Sequence, residues 1–506
     1  MKPLLSFRFV LVLALLALPL TSVALAQTSD PEVVGEEITW RSASPVIDSR
    51  DLASGERGEE LLVWSETLTF PGASYIAPHF SHLDLPAGAR VVVTAPDGSR
   101  SWEYRGTGKA DLGVTGGFWG IHIAGDTALV ELWSSRPVAD GAVAIDRFAR
   151  GFEHADFGIV GGGAVTDGLG DTEDTEAICG ADDSDWAKCY QTSEPAAYAK
   201  GRAVARLLIN GINACTGWLV GTDGHLMTNE HCIGSAAAAM NTDYEFMAEG
   251  ATCATNCASW FGCPGNVVAN SATLVQLDAG LDYALVKLPT NPTANYGYLQ
   301  LRNRGTYAGE RIYIPQHPAA WGKRIAVFST HPDDETGYCE VQSTTRPACT
   351  GGPVSDIGYY CDTQGGSSGS PVLGRCDNLV VALHHCAFCP NRGVPIEAII
   401  RDLGENLPPG ALGSSWGCGD CGAGYCTKGG EFCDTDGCYP ADSPISIIVC
   451  QCKLLDPACG FGGCVGNAYC EGPNCPAPVC YAAGTPWSRV MCEGWNIDPE
   501  TCEVSP

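Results

Sequence analysis

Two short segments hold residue types that can do nucleophilic chemistry. Thr228-Asn229-Glu230-His231-Cys232 places an imidazole beside a cysteine, and Gly365-Gly366-Ser367-Ser368-Gly369-Ser370-Pro371 places a hydroxyl on a glycine-lined loop. Between them, Leu281-Asp282-Tyr283-Ala284-Leu285-Val286-Lys287-Leu288 sets a carboxylate at the mouth of an alternating apolar strand. A serine hydroxyl is a weak nucleophile until a base takes its proton. Histidine suits that task best at neutral pH, so His231 is the candidate base. Asp282 would hold the imidazole tautomer and stabilise the imidazolium, while Ser368 attacks a carbonyl carbon. The backbone N–H groups of Gly366 and Ser368 are the candidate oxyanion hole, each such donor being worth about 3 kcal/mol of barrier. The order His, Asp, Ser is one of the few chain orders in which such a triad is known to assemble. Cys215, in Cys215-Thr216-Gly217-Trp218, is expected to bridge to Cys232 and pin the loop that carries the base.

The elements around these residues read as mostly β, with many short strand patterns separated by Gly, Pro and Asn. The chain opens with Lys2, Arg8, an apolar run from Phe9 to Leu20 and then Ala24-Leu25-Ala26, which reads as a signal peptide over 1–26. That run is too short to span a membrane comfortably. Residues 27–157 contain no cysteine, and strand-and-turn patterns such as Arg90-Val91-Val92-Val93-Thr94 followed by Ala95-Pro96-Asp97-Gly98-Ser99 predict a small β-sandwich. A Gly-rich, acidic linker covers 158–176. Residues 177–407, with 13 cysteines, form the domain that carries the three candidate residues. A linker over 408–417 then leads to 418–506, where 14 cysteines and little apolar sequence predict a segment held by disulfides. Its Cys418-x-x-Cys421 spacing also suits zinc, but this stretch has no histidine.

Export favours reading all 27 cysteines as a disulfide framework rather than as metal ligands. Thirteen cannot all pair within 177–407, so one is free or bridges to another domain. The 29 basic against 58 acidic side chains argue against a nucleic-acid partner, which needs a basic surface. No metal and no cofactor are expected. His331-Pro332-Asp333-Asp334-Glu335 reads as an acidic solvated loop before it reads as a cation site.

At these residues the chain resembles the chymotrypsin-like (trypsin-like) serine proteases, and among them bacterial lysyl endopeptidases and their secreted relatives in bacteria and oomycetes. The resemblance runs from about Ile178 to Leu403. It includes Cys179 and Cys189, Ile312-Tyr313-Ile314-Pro315-Gln316-His317-Pro318, Lys323-Arg324-Ile325 and Cys361-Asp362-Thr363-Gln364. It implies a double β-barrel, a site in the cleft between barrels, and peptide-bond cleavage through an acyl-enzyme, with protein or peptide substrates outside the cell. Asn229 and Glu230 depart from the small residues usual before the histidine. Ser367 replaces the aspartate that receives a freed N-terminus in trypsin. Ile159-Val160-Gly161-Gly162 looks like that N-terminus but lies 72 residues before His231 and follows Gly158. Latency is therefore expected from the leading domain covering the cleft.

Substrate choice stays open between two readings. Asp362 lies six residues before Ser368, the offset of the pocket-floor carboxylate in trypsin, and would favour Lys or Arg. An aspartate capping the loop beside Cys361 is the alternative for that residue. His384 falls where lysyl and glutamyl endopeptidases carry a pocket histidine, and with Arg392 nearby it would suit an acidic side chain. Cys386-x-x-Cys389 is expected in the disulfide framework near the pocket wall. A rival of another class is a catalytically idle binding protein on the same scaffold, with the cysteine-rich tail as the recognition element or as an anchor to a polymer or cell surface.

Overall fold

The computed structural model describes residues 30–42, 46–48, 52, 58–109, 117–153, 178–334 and 336–413, plus short strands between 425 and 505. The signal-peptide and linker assignments over 1–26 and 158–176, with the Ile159 motif, lie outside the described residues. In 418–506 only backbone pairings are described, among them Tyr425–Cys426 with Phe432–Asp434 and then Gly437–Tyr439. Among the described residues no helix is long and apolar enough to cross a membrane.

The leading part is two antiparallel sheets face to face. One runs Leu61–Thr69, Thr127–Ser134, Ala89–Thr94, Ser101–Tyr104; the other runs Gly35–Thr39, Val143–Gly151, Tyr75–Leu83, Phe118–Trp119. Thr127–Ser134 alternates half-buried and buried positions along its length, so Ala128, Val130 and Leu132 point inward while Glu131 stays at the surface. That period of two is what a half-covered strand requires. Val91, Val93, Phe80 and Phe148 complete the layer between the sheets.

Two larger antiparallel sheets follow and form the two barrels. The first takes the order Asn266–Ala269, Thr242–Phe246, Val204–Ile209, Asn213–Val220, His225–Thr228, Tyr283–Lys287, Thr273–Asp278. The second takes Asp185–Trp186, Arg324–Ala326, Ile312–Gln316, Pro371–Gly374, Val380–Cys386, Asn391–Pro395, Asp356–Tyr359, Val341–Arg346. Trp218, fully buried, sits in the main core with Leu207, Leu226, Tyr244 and Val286.

The leading residues do not all belong to the sandwich. Glu32–Val33 pairs antiparallel with Asn213 and Ala214 of the first barrel, and Val34 N donates to Ile212 O at 2.8 Å. The chain therefore crosses the first barrel before it enters the sandwich at Gly35. It uses a strand end that His225–Thr228 covers only further along, at Trp218 to Val220.

A buried polar junction fixes the sandwich to the first barrel. Arg206 and Glu245 face each other in the strand register, with guanidinium to carboxylate contacts of 2.6 and 2.9 Å. Arg100 of the sandwich joins them, donating to Glu245 Oε1 at 3.0 Å and to Gly265 O at 2.6 Å. His122 donates to Asp243 at 2.6 Å, and Lys109 reaches the carbonyls of Trp119, Met240 and Asn270 at 2.8, 2.7 and 2.5 Å. Burial pulls the Lys109 ammonium down to about 7 against the opposing pull of Asp243.

Among the described residues five disulfides tie this domain: Cys179–Cys389, Cys189–Cys253, Cys215–Cys232, Cys257–Cys263 and Cys349–Cys386. Cys386 and Cys389 thus both enter the framework, though with different partners. Cys339 and Cys361 are buried thiols in hydrogen-bonding contact. Cys376 is disulfide-bonded, and since the other twelve cysteines of 177–407 are accounted for, its partner lies outside that stretch.

Glu245 is the keystone of the junction. Burial works against its charge, but Arg206, His122 and Arg100 together hold its carboxyl well below the usual range. Glu245→Gln should lower unfolding free energy by about 3–5 kcal/mol, because two guanidinium groups lose their counter-ion. The depressed carboxyl contributes stability above the unfolded value near 4.5, lost as pH falls. Denaturant melts at pH 7 and pH 3.5 should therefore show a wild-type to variant gap that narrows at the lower pH.

Candidate active site

Strand His225–Thr228 ends where its last side chain turns inward, Thr228 Oγ1 donating to Thr216 O at 2.8 Å. The next residue, Asn229, is fully buried and donates to the Asp282 carbonyl at 2.8 Å. Its amide is therefore a structural tie between two loops, which explains a residue larger than expected two places before the histidine. Two positions on, His231 meets Asp282 twice: its backbone N donates to Oδ1 at 3.0 Å, and ring Nδ1 lies 2.8 Å from Oδ2 and 3.1 Å from Oδ1. Asp282 enters strand Tyr283–Lys287 with φ +45°, a left-handed backbone that turns its carboxylate back towards the histidine. Burial opposes the Asp282 charge, but His231 and His385 hold the carboxyl well below the usual range, so it is ionised at neutral pH. An ionised carboxylate accepts only, so the Nδ1 of His231 donates and Nε2 is the basic nitrogen.

The serine loop is drawn against the same loop. Thr216 N donates to Ser368 O at 2.9 Å, and that carbonyl lies 3.9 Å from Sγ of Cys232, the neighbour of His231. Gly366 and Gly369 both have positive φ, +91° and +88°. A Cβ on Gly366 would come within 2.9 Å of His317 O, and one on Gly369 would collide with Thr216 O, so both positions need glycine. The Gly365 carbonyl accepts from Ala319 N at 2.5 Å, and the Ser367 carbonyl from Ser370 N at 3.0 Å. In a trans peptide the N–H points opposite to the carbonyl. The amides of Gly366 and Ser368 are thus turned away from those internal donors.

Around this centre the specificity candidates take different positions. Asp362 is buried, and its carboxylate accepts from the backbone N of Cys179 at 3.0 Å and of Asp183 at 2.8 Å. Burial pushes its carboxyl up to about 7, with those two amides pulling the other way. Asp362 thus holds the start of the domain through two backbone amides. His384 is fully buried with Nδ1 2.8 Å from the Tyr359 hydroxyl, and burial pushes its ring down to about 3. The buried hydroxyl of Thr363 has no hydrogen-bond partner among the described residues. Arg392 donates to Pro347 O at 3.1 Å and lies over the Phe388 ring. The ring of His331 stacks on Tyr360, with centroids 3.6 Å apart.

One residue went unremarked in the sequence. His385, beside His384, is fully buried with Nδ1 3.2 Å from Asp282 Oδ2 and Nε2 3.2 Å from Asp356 Oδ2. The doubled histidine was its only local signal. Three clusters bring metal-type donors together, Cys215/His231/Cys232, Cys349/His385/Cys386 and Asp185/Cys189/Cys253. In each the two sulfurs are bonded to one another, so none offers thiolates to an ion.

The family model for the trypsin-like peptidase domain matches residues 215–383. Secreted RxLR effector protein 73 of Plasmopara viticola is 41% identical over 338 residues, covering 65% of this chain and 79% of that protein. Among solved structures the chain is similar to Glu endopeptidase in complex with MPD, at 17% identity and TM-score 0.31 over 46% of this chain and 100% of that one. It is similar also to Deg5, at 14% identity and TM-score 0.32 over 44% and 98%. With that identity across most of the Plasmopara protein, and a peptidase match spanning His231, Asp282 and Ser368, the chain belongs to the trypsin-like peptidase family.

Proposed function

We propose that this chain is a secreted serine endopeptidase that cleaves peptide bonds through an acyl-enzyme. The observation that carries the reading is the double grip of an ionised, buried Asp282 on His231, beside a glycine-hinged loop bearing Ser368. Ser368 Oγ attacks the carbonyl carbon as His231 takes its proton. The amides of Gly366 and Ser368 receive the oxyanion, and His231 returns the proton to the leaving amine. Water then repeats the cycle on the ester. Export is supported by the disulfide framework and by a relative described as secreted. A fluorophosphonate should label the processed wild type at Ser368 and leave Ser368→Ala unlabelled, and Asp282→Asn should lose about 10⁴-fold in kcat. An unlabelled wild type would favour the idle binding protein.

For the side chain before the scissile bond, the geometry favours the acidic reading over the basic one. Asp362 already spends both carboxylate oxygens on the amides of Cys179 and Asp183, and its raised carboxyl weakens it further as a counter-ion. The neutral His384 ring and the unpartnered Thr363 hydroxyl are the polar groups of the stretch suited to a carboxylate. Matched peptides with Glu, Lys or Arg at that position should give the highest kcat/KM for Glu, and Thr363→Val should reduce the Glu preference. Preferred cleavage after Lys or Arg would restore the basic reading.

Latency is proposed to come from the leading segment. Glu32 pairs with Ala214, two residues from the Thr216 amide that holds Ser368, and its carboxylate abuts Gly365. An extended peptide continuing past the scissile bond would add to the same strand end. Deleting residues 27–33 should raise kcat/KM about tenfold or more on peptides that extend past the cleavage site. Short esters ending at that bond should be unaffected. Equal gains on both substrates, or none on either, would sink this assignment.

A further inference from the structure

We propose that His385 is a positioning residue for the Asp282–His231 pair, a doubly protonated imidazole that bridges Asp356 to Asp282. The proposal rests on the peptidase reading above. Its geometry is independent of substrate: one ring nitrogen of His385 faces each carboxylate at 3.2 Å, in a place closed to solvent. A neutral imidazole has one N–H and can satisfy only one of the two acceptors. Were it neutral, two buried carboxylates would compete across a single ring, and one of them would take up a proton. The imidazolium pairs by charge with both, its Nδ1 donating to Asp282 while its Nε2 lies 3.2 Å from Asp356 Oδ2 without hydrogen-bond alignment, and it leaves Asp282 ionised behind His231.

The surroundings hold the bridge in place. Asp356 begins strand Asp356–Tyr359, and its Oδ2 also accepts from Cys349 N at 2.9 Å. Cys349 is bonded to Cys386, the chain neighbour of His385, so one disulfide anchors both the carboxylate and the ring. The charged and titratable groups that face this cluster are His384 on the same strand and His231 across Asp282. Arg346 stands opposite Asp356, and Arg392 stands opposite Cys386. Each of these cations or histidines opposes a second positive charge. Burial opposes it too, yet the contacts with Asp282 and Asp356 push the ring up to about 9. His385 therefore stays charged through the neutral range and loses its proton as pH rises through about 9.

The test uses the full-length chain, measuring kcat and KM from pH 5 to 10 for wild type, His385→Asn and Asp356→Asn. Asparagine at 385 can still donate to Asp282 but carries no charge. His385→Asn should lower kcat about ten- to a hundredfold with KM unchanged, a loss typical of removing a group that orients a catalytic one. Asp356→Asn should move the alkaline fall in kcat down by about one pH unit or more. A wild-type-like pH profile in Asp356→Asn, or a His385→Asn defect confined to KM, would overturn the proposal. Melting temperature supplies an arm free of activity. Wild type should lose stability between pH 7 and 9.5, as a raised histidine pKa requires, and Asp356→Asn should lose it earlier; coincident curves count against the bridge, even if His385→Asn does not fold. Absence of fluorophosphonate labelling with the melting shift intact would instead sink the peptidase reading and leave the bridge standing.

Discussion

The candidate site depends on a carboxylate that stays ionised where water cannot reach it. Isolated, the Asp282 charge would be strongly disfavoured by burial. It persists because donors converge on it: the His231 amide, the His231 ring and the His385 ring, all within 3.2 Å. Breaking the convergence would leave either a protonated acid, useless as a partner for an imidazolium, or a stranded charge. The positive φ at Asp282 and the buried Asn229 amide, which grips the Asp282 carbonyl, serve that same convergence.

The same physics recurs away from the candidate site. Arg206 and Glu245 are as deeply buried as Asp282 and are likewise held by more than one partner. There the third partner, Arg100, comes from the leading sandwich, so neutralising a buried pair also sets how the two domains meet. The leading chain contributes twice, through this junction and through Glu32–Val33 laid along the end of the strand before Cys215. A domain that looked like a separable preface is thus bound into the first barrel by charge and by backbone pairing.

Eleven of the thirteen cysteines of 177–407 are disulfide-bonded, while Cys339 and Cys361 remain buried thiols, two where one free or outward-bridging cysteine was expected. Pairing across 210 residues brings the domain's beginning, Cys179, beside Cys389, where the Asp362 carboxylate closes on the Cys179 amide. That closure engages both oxygens of the Asp362 carboxylate, one with the amide of Cys179 and one with that of Asp183.

Residue order by itself determined the mostly β class, the glycine-hinged loop around Ser368, and His231, Asp282 and Ser368 as the candidates for chemistry. These were legible because nucleophile loops demand glycine locally and because strand periodicity is written in neighbouring residues. Tertiary structure alone decided that the Asp362 carboxylate meets two backbone amides, and that Glu32 lies along the barrel. It alone set His385 between Asp282 and Asp356. Those outcomes turn on which distant atoms share a desolvated volume, a property of three-dimensional proximity that no local spacing encodes.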